Sequence, residues 1–375
     1  MDFIYKYKYL LLFIFFFIGF SFISIYSASM YISADLGILY YKQLFWYLFG
    51  IVLIFTFNKV DIRKLYKLSF FIYLANILLL LGLLLFVPSV NGSKSWYFIF
   101  GLGSFQPSEF MKISLIFINS FVIYNFYKNE KIISFKKEFL LILSLFIIWF
   151  IPSILTFLQP DTGAVIIYFV ITFSMLFVSG IDRKWFIGIF SFIFIFLFLF
   201  FYFYFFYQNS FIDIFGSNFF YRIDRIINWQ SGDGMQLNNS LAAIGSSGLL
   251  GHGFNNTPIY FPEAGTDFIF SVFASNFGLI GSIIFFIFIL FFDIYLLNIS
   301  KYIYSIQDKY TIVGILSVIF YQQIQNIGMT IGILPITGIT LPFISYGGSS
   351  LLSYLLLIGI VINIIDLNQR KKAYK

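Results

Sequence analysis

The sequence predicts an all-α integral membrane protein of about ten transmembrane helices with one large extracytoplasmic loop, a single membrane domain spanning residues 1–375. Three observations predict it. The 375 residues are 60% hydrophobic and only 10% charged, with a mean hydropathy of +0.93, far more apolar than a soluble domain. Apolar runs of the length needed to cross a bilayer recur from end to end. Lys and Arg gather in alternate segments between those runs. The 57 Phe and 27 Tyr suit lipid-facing positions, where any large apolar side chain serves.

The first run, 8–28, follows Asp2, Lys6 and Lys8. It looks like a signal peptide, but no small-residue cleavage site follows it and nine more runs do, so it reads as a retained helix. Runs 43–58 and 68–88 come next, separated by Lys59, Arg63, Lys64 and Lys67. Run 107–127 opens with Gln106-Pro107, and proline in a first helical turn loses no hydrogen bond. Runs 139–158 and 162–179 are divided by Gln159-Pro160-Asp161-Thr162-Gly163, where Pro160 breaks one helix and Asp161 stands at the N-cap of the next. Run 186–207 leads into the loop 208–267, and runs 268–297, 310–331 and 350–366 complete the set.

With the N-terminus inside, 18 Lys and Arg fall in cytoplasmic segments and 4 outside, namely Lys42, Lys94, Arg222 and Arg225. That bias orients the chain, and an even number of spans puts both termini in the cytoplasm. The net charge of +7 is thereby explained by topology, not by nucleic-acid binding. Cysteine is absent and His252 is the single histidine. Disulfides, thiol nucleophiles and Cys/His zinc sites are excluded, and chemistry must rest on carboxylates, Lys, Arg, amides and bound cations.

Polar residues gather at the outer face. Glu109 and Lys112 share a helix face at i and i+3; a structural ion pair and a pair facing a cavity are both open to them. Asp161 serves either as an N-cap or as a third member of an outer polar site. Arg222 and Arg225, within Tyr221-Arg222-Ile223-Asp224-Arg225-Ile226, form a short amphipathic helix. Their guanidiniums suit a phosphate or pyrophosphate, or a lipid headgroup. Asp267 precedes the eighth span: it either caps that helix or, held against an apolar wall, has a pKa raised toward that of a general base. His252 and the glycine-rich run 245–253 read as turn chemistry, because no strand-to-helix nucleotide fingerprint surrounds them. Asp293, near the inner end of the eighth span, has no assigned role.

Several motifs together resemble the SEDS family, the RodA/FtsW/SpoVE peptidoglycan polymerases. They are Gly101-Leu-Gly-Ser-Phe-Gln106-Pro107-Ser108-Glu109-Phe-Met-Lys112, Gln159-Pro160-Asp161-Thr162-Gly163, Ser240-Leu-Ala-Ala-Ile-Gly245-Ser-Ser-Gly248-Leu-Leu-Gly251-His-Gly253, Phe261-Pro262-Glu263 through Phe270, Asn326-Ile-Gly-Met329 and Leu341-Pro342-Phe-Ile-Ser345-Tyr346-Gly347-Gly348-Ser349-Ser350. The resemblance runs along the whole chain and implies the SEDS fold. It also implies a glycosyltransferase that polymerises lipid II on the outer face, with a class B penicillin-binding protein as transpeptidase partner. The family's essential loop aspartate falls on Asp267, as general base, and its Glu and Lys on Glu109 and Lys112. Asp161, Arg222 and Arg225 join them as substrate-binding candidates. A departing pyrophosphate needs cations, which Arg222, Arg225, Lys112 and a divalent Mg or Mn ion can supply.

The chain departs from the family pattern at Gly265, where His is usual, and at Ser275-Asn276, where two Glu are usual; reduced or differently tuned activity is the expectation. Asn326-Ile-Gly-Met329 and the short tail 366–375 lean toward the elongation type, RodA, with a division-type FtsW polymerase as the alternative. A lipid II flippase and a catalytically silent scaffold for a penicillin-binding protein are the rival functions.

Overall fold

The computed structural model describes residues 7–29, 39–89, 92–99, 103–129, 134–227 and 235–373. Lys6, Lys131 and Lys375 of the charge count, Gly101, Trp229 and Asp233 lie outside them. Thirteen helices and one small hairpin are described, in the order α1 (Lys8–Ser29), α2 (Leu39–Phe57), α3 (Ile62–Phe86), β1 (Tyr97–Ile99), β2 (Gly103–Phe105), α4 (Pro107–Asn129), α5 (Phe135–Leu158), α6 (Thr162–Val178), α7 (Arg183–Phe206), α8 (Gln208–Phe215), α9 (Ser217–Ile227), α10 (Met235–Gly245), α11 (Ile269–Lys301), α12 (Ile306–Thr330) and α13 (Gly348–Ala373). Nine of these helices are long and apolar enough to cross a membrane. The tenth span expected from the sequence is α6, apolar but only 17 residues long.

Helices α12 and α13 form the centre of the bundle, with 67% and 78% of their apolar windows buried, whereas α7 is at the periphery with 6%. The peripheral helix is the phenylalanine-rich and most apolar of the three, whereas the buried α12 and α13 hold one Phe between them, so burial follows neighbours, not hydropathy. α5 keeps Pro152 inside the helix. Proline lacks the N–H that Ile148 would otherwise receive, and Tyr73 of α3 donates its hydroxyl to the Ile148 carbonyl instead, at 2.9 Å. In hydrocarbon such replacement is obligatory.

The structure corrects the expected eighth span. α11 contains Gly278 at φ 64° and ψ −161°. Phe270 packs on Phe285 and Phe286 with ring centroids 5.7 and 5.4 Å apart, and Phe273 on Phe285 at 5.2 Å. A straight helix would hold Phe270 and Phe285 roughly 22 Å apart at 1.5 Å per residue. The chain therefore reverses at Gly278: residues 269–277 form a short helix and 279–301 return beside it as the span. The reversal frees backbone groups, and the glycine-rich run 245–253 takes them up. His252 and Gly253 donate N–H to the carbonyls of Ser275 and Asn276 at 3.0 and 3.1 Å, while Leu279 and Ile280 donate to the carbonyls of Gly248 and Leu249 at 3.0 and 3.1 Å. A Cβ on Gly251 would stand 2.2 Å from the Asn276 oxygen, so only glycine permits this approach.

Candidate functional site

α4, α6 and α13 begin at the same end of the bundle, opposite the Lys- and Arg-rich turns before α3 and α7. Between their N-termini lies a cavity of about 470 Å³, walled by Gln106 and Glu109 at the start of the first, Pro160 to Thr162 at the start of the second, Gly347 to Ser350 at the start of the third, and by Glu263, Asp267 and residues 337–340. One set of hydrogen bonds joins the rim. The Ser349 hydroxyl donates to the Ser104 carbonyl at 3.0 Å and accepts from the Gln106 N–H at 3.1 Å, tying the β-hairpin, α4 and α13 together.

Asp161 holds both roles that were open to it. Its carboxylate caps α6 by accepting the Ala164 N–H at 3.1 Å. It also faces the cavity and accepts from Ser108 Oγ at 3.1 Å and Gln106 Nε2 at 3.2 Å. Burial pushes its carboxyl above the usual carboxylate range, and the three donors pull it partly back.

Glu109 and Lys112 form an ion pair at 2.6 Å, with side chains 13% and 1% exposed. Glu109 reaches the cavity and also accepts the Ser353 hydroxyl at 2.9 Å. Lys112 does not line it. Its ammonium is sealed beneath Glu109, 3.4 Å from Gln322 Oε1 and 4.7 Å from the Tyr354 ring centroid. Lys112, expected from the sequence among the substrate-binding residues, thus stands behind Glu109 and not in the cavity wall.

Asp267 is not a helix cap. The N-cap of α11 is Phe268 and receives no side-chain cap bond, and among the described residues none donates a hydrogen bond to the Asp267 carboxylate. Burial, then the nearby charges of Glu263 and Asp161, push its pKa up to about 7. A carboxylate that is desolvated, unpartnered and facing a cavity is poised to accept a proton near neutral pH. Its backbone, by contrast, is tightly held. Asn326 Nδ2 donates to the Asp267 carbonyl at 2.8 Å, Ser345 Oγ donates to the Thr266 carbonyl at 2.6 Å, and the Tyr346 N–H donates to the Gly265 carbonyl at 2.9 Å.

Arg222 and Arg225 lie on α9, as the amphipathic pattern implied, but their side chains are outside the described part of the structure. His252 sits in the glycine-rich turn, its Nε2 3.0 Å from Ser246 Oγ. Ser275 and Asn276 are not in the cavity wall: Asn276 bonds Ser27 of α1 at 2.6 Å and Thr257 at 2.9 Å. A side chain at Gly265 would approach Ala28 of α1. Asp293 is the partner of Gln323 at 3.3 Å, linking α11 to α12.

Sequence reasoning did not single out Glu263, Gln106, Thr337 or Gln322, which all line the cavity. The first two stood inside quoted motifs; the last two are polar residues in apolar surroundings. A second, apolar groove of about 220 Å³ adjoins the cavity, lined by Phe45, Trp46, Phe49, Phe105, Phe110 and Leu352. Ser104 and Ser349 belong to the walls of both.

A polytopic helical membrane protein with an acidic cavity at one end, beside an apolar groove, is the class that fold and site define. The sequence profile of the FtsW/RodA/SpoVE family, described as cell cycle protein, matches residues 8–370, and the chain belongs to that family. It is 36% identical over 338 residues to the probable peptidoglycan glycosyltransferase FtsW of Wigglesworthia glossinidia brevipalpis, covering 86% of this chain and 82% of that one. It is 33% identical to the stage V sporulation protein E of Bacillus subtilis, covering 75% of each. Among solved structures, a chain described under structural coordination of polymerization and crosslinking by a peptidoglycan synthase complex superposes with TM-score 0.77 at 22% identity, covering 96% of this chain and 97% of that one. Rod shape determining protein RodA of Thermus thermophilus superposes at 0.68 with 23% identity, covering 96% of each chain.

Proposed function

We propose that this protein is a peptidoglycan glycosyltransferase that polymerises lipid II on the outer face of the bacterial cytoplasmic membrane. Asp267 is the general base: it takes the proton of the acceptor sugar hydroxyl as that oxygen attacks the donor's anomeric carbon. The bond to the pyrophosphate oxygen breaks, and polyprenyl pyrophosphate leaves with the electron pair. The observation that carries this reading is the unpartnered Asp267 carboxylate in a polar cavity that adjoins an apolar groove. The cavity suits a sugar pyrophosphate and the groove the first units of a polyprenyl chain. A transport path would need the cavity to continue toward the basic end, whereas Lys112, Gln322 and Tyr354 are packed against one another beneath it, each about 1% exposed.

Glu109 and Asp161 contact the polar head of the substrate, Lys112 holds Glu109, and Arg222 and Arg225 contribute charge to the pyrophosphate. The described residues contain no group of three or more His, Asp or Glu able to hold a metal alone. The cavity's carboxylates are hard oxygen donors, however, and a Mg or Mn ion takes one or two of these together with substrate phosphates. Asp161 and Glu263 would hold such an ion, which when bound offsets charge on the leaving pyrophosphate.

The Lys and Arg of the opposite end support a cytoplasmic location for both termini. We assign a class B penicillin-binding protein as the partner and cell elongation as the role, with division as the competing one; depletion giving round cells supports elongation, and filaments support division. The enzymatic test is gel-resolved polymerisation of purified lipid II by the protein with its partner, wild type beside Asp267→Ala, with and without a divalent cation. Glycan ladders from wild type alone are expected. Ladders from both, or from neither despite a folded complex, refute the assignment.

A further inference from the structure

The motif Asn326-Ile-Gly-Met329 has no part in the chemistry above, yet Asn326 is fully buried and its amide is spent on the active segment. Nδ2 donates to the carbonyl of Asp267 at 2.8 Å and to the carbonyl of Ile339 at 2.7 Å. These two carbonyls belong to the two strands of chain that face each other across the carboxylate. Residues 337–340 form the cavity wall opposite, and a Cβ on Gly338 would stand 3.6 Å from Asp267 Oδ2.

We propose that Asn326 is a positioning residue for Asp267, fixing how far its carboxylate projects into the cavity and its spacing from the 337–340 wall. The inference rests on the polymerase reading, in which Asp267 is the base. No described side chain holds the Asp267 carboxylate, so its location is set through its own backbone. Asn326 supplies the side-chain bond to that residue's peptide, and Ser345 the bond to the preceding one, at Thr266. One amide bonded to both segments makes their separation a single geometric quantity. Proton transfer depends steeply on such spacing, whereas binding of a large lipid-linked substrate, spread over cavity and groove, does not.

The test compares Asn326→Ala with Asn363→Ala. Asn363 is a matched control, a buried amide whose Nδ2 bonds the carbonyls of Phe57 and Val60 at 3.0 and 2.7 Å, remote from the cavity. Both variants, in complex with the partner, are assayed for kcat and KM with purified lipid II and for thermal midpoint. The expected result is a kcat loss of about 30-fold or more for N326A with KM within about twofold, and kcat within about twofold of wild type for N363A at a similar loss of thermal midpoint. A kcat for N326A within threefold of wild type overturns the proposal, as does an equal kcat loss in N363A.

Should N326A not fold, Asn326→Ser, which also shortens the side chain away from both carbonyls, carries the same comparison. A second readout is independent of turnover: carbodiimide labelling of Asp267 against pH, read by mass spectrometry. N326A is expected to move the labelling midpoint by more than one pH unit while N363A leaves it unchanged; an unmoved midpoint in N326A refutes the proposal. If wild type makes no glycan, the polymerase reading fails, and the labelling curve still decides whether Asn326 positions the carboxylate.

Discussion

Replacing Asp267 by Asn is expected to abolish polymerisation and at the same time stabilise the protein, with a pH dependence that reports the same carboxyl. Burial, reinforced by Glu263 and Asp161, raises this group from an ordinary 3.8 to about 7. The folded state then binds a proton that the unfolded chain has already released. Below pH 4 both states are protonated and the group costs nothing. Between 4 and 7 the native state loses about 1.36 kcal/mol per pH unit relative to the unfolded chain, reaching a plateau above 7. The full rise corresponds to about 4 kcal/mol, and water in the cavity screens this to roughly 1–3 kcal/mol.

Asp267→Asn removes the cost, so its thermal midpoint in detergent should exceed that of wild type at pH 8, with the gap closing as pH falls and vanishing below pH 4. In wild type, kcat/KM should fall about tenfold per pH unit below 7 as the base is protonated. Glu263→Gln, which removes a neighbouring negative charge, should move that midpoint downward. A flat kcat/KM between pH 5.5 and 8.5, or an Asp267→Asn protein no more stable than wild type at pH 8, would refute the reasoning.

Glu109→Gln leaves the Lys112 ammonium buried without its counterion, and should cost about 3 kcal/mol or more in stability; Lys112→Met in the same chain should recover much of it, read from thermal midpoints. Gly251→Ala and Gly278→Ala each drive a Cβ to within about 2.3 Å of backbone and should prevent the 245–253 run from joining the α11 reversal, lowering the yield of monodisperse protein. Gly245→Ala, with nothing within 4 Å, should leave it unchanged. Leu352→Trp narrows the apolar groove and should raise KM for long-chain lipid II more than for a short-chain analogue; equal effects on both would remove the groove from the substrate path.

Element identity along this chain was legible because a bilayer admits little else. Uninterrupted apolar runs must become helices whose backbone groups are satisfied internally, so the start of α4 at Pro107 and of α6 after Asp161 could be read from one proline and one capping carboxylate. The eighth span was misread for the same reason. Hydropathy is blind to direction, and residues 268–297 are equally apolar whether straight or folded back at Gly278. That reversal depends on a distant glycine run supplying its hydrogen bonds, a long-range pairing that no local pattern encodes.

The same limit applies to the site. Sequence alone identified Glu109, Asp161 and Asp267 as costly polar groups at one membrane face, because lipid leaves no other reason for them to be there. Tertiary packing alone decided what each became: Asp161 both cap and cavity wall, Lys112 a buried counterion, Asp267 a carboxylate without a donor, held through its backbone by Asn326. These outcomes depend on which donors arrive from helices far apart in the chain. Composition and spacing therefore determine which groups are expensive, and only the packed bundle determines which of them are left unpaired to do chemistry.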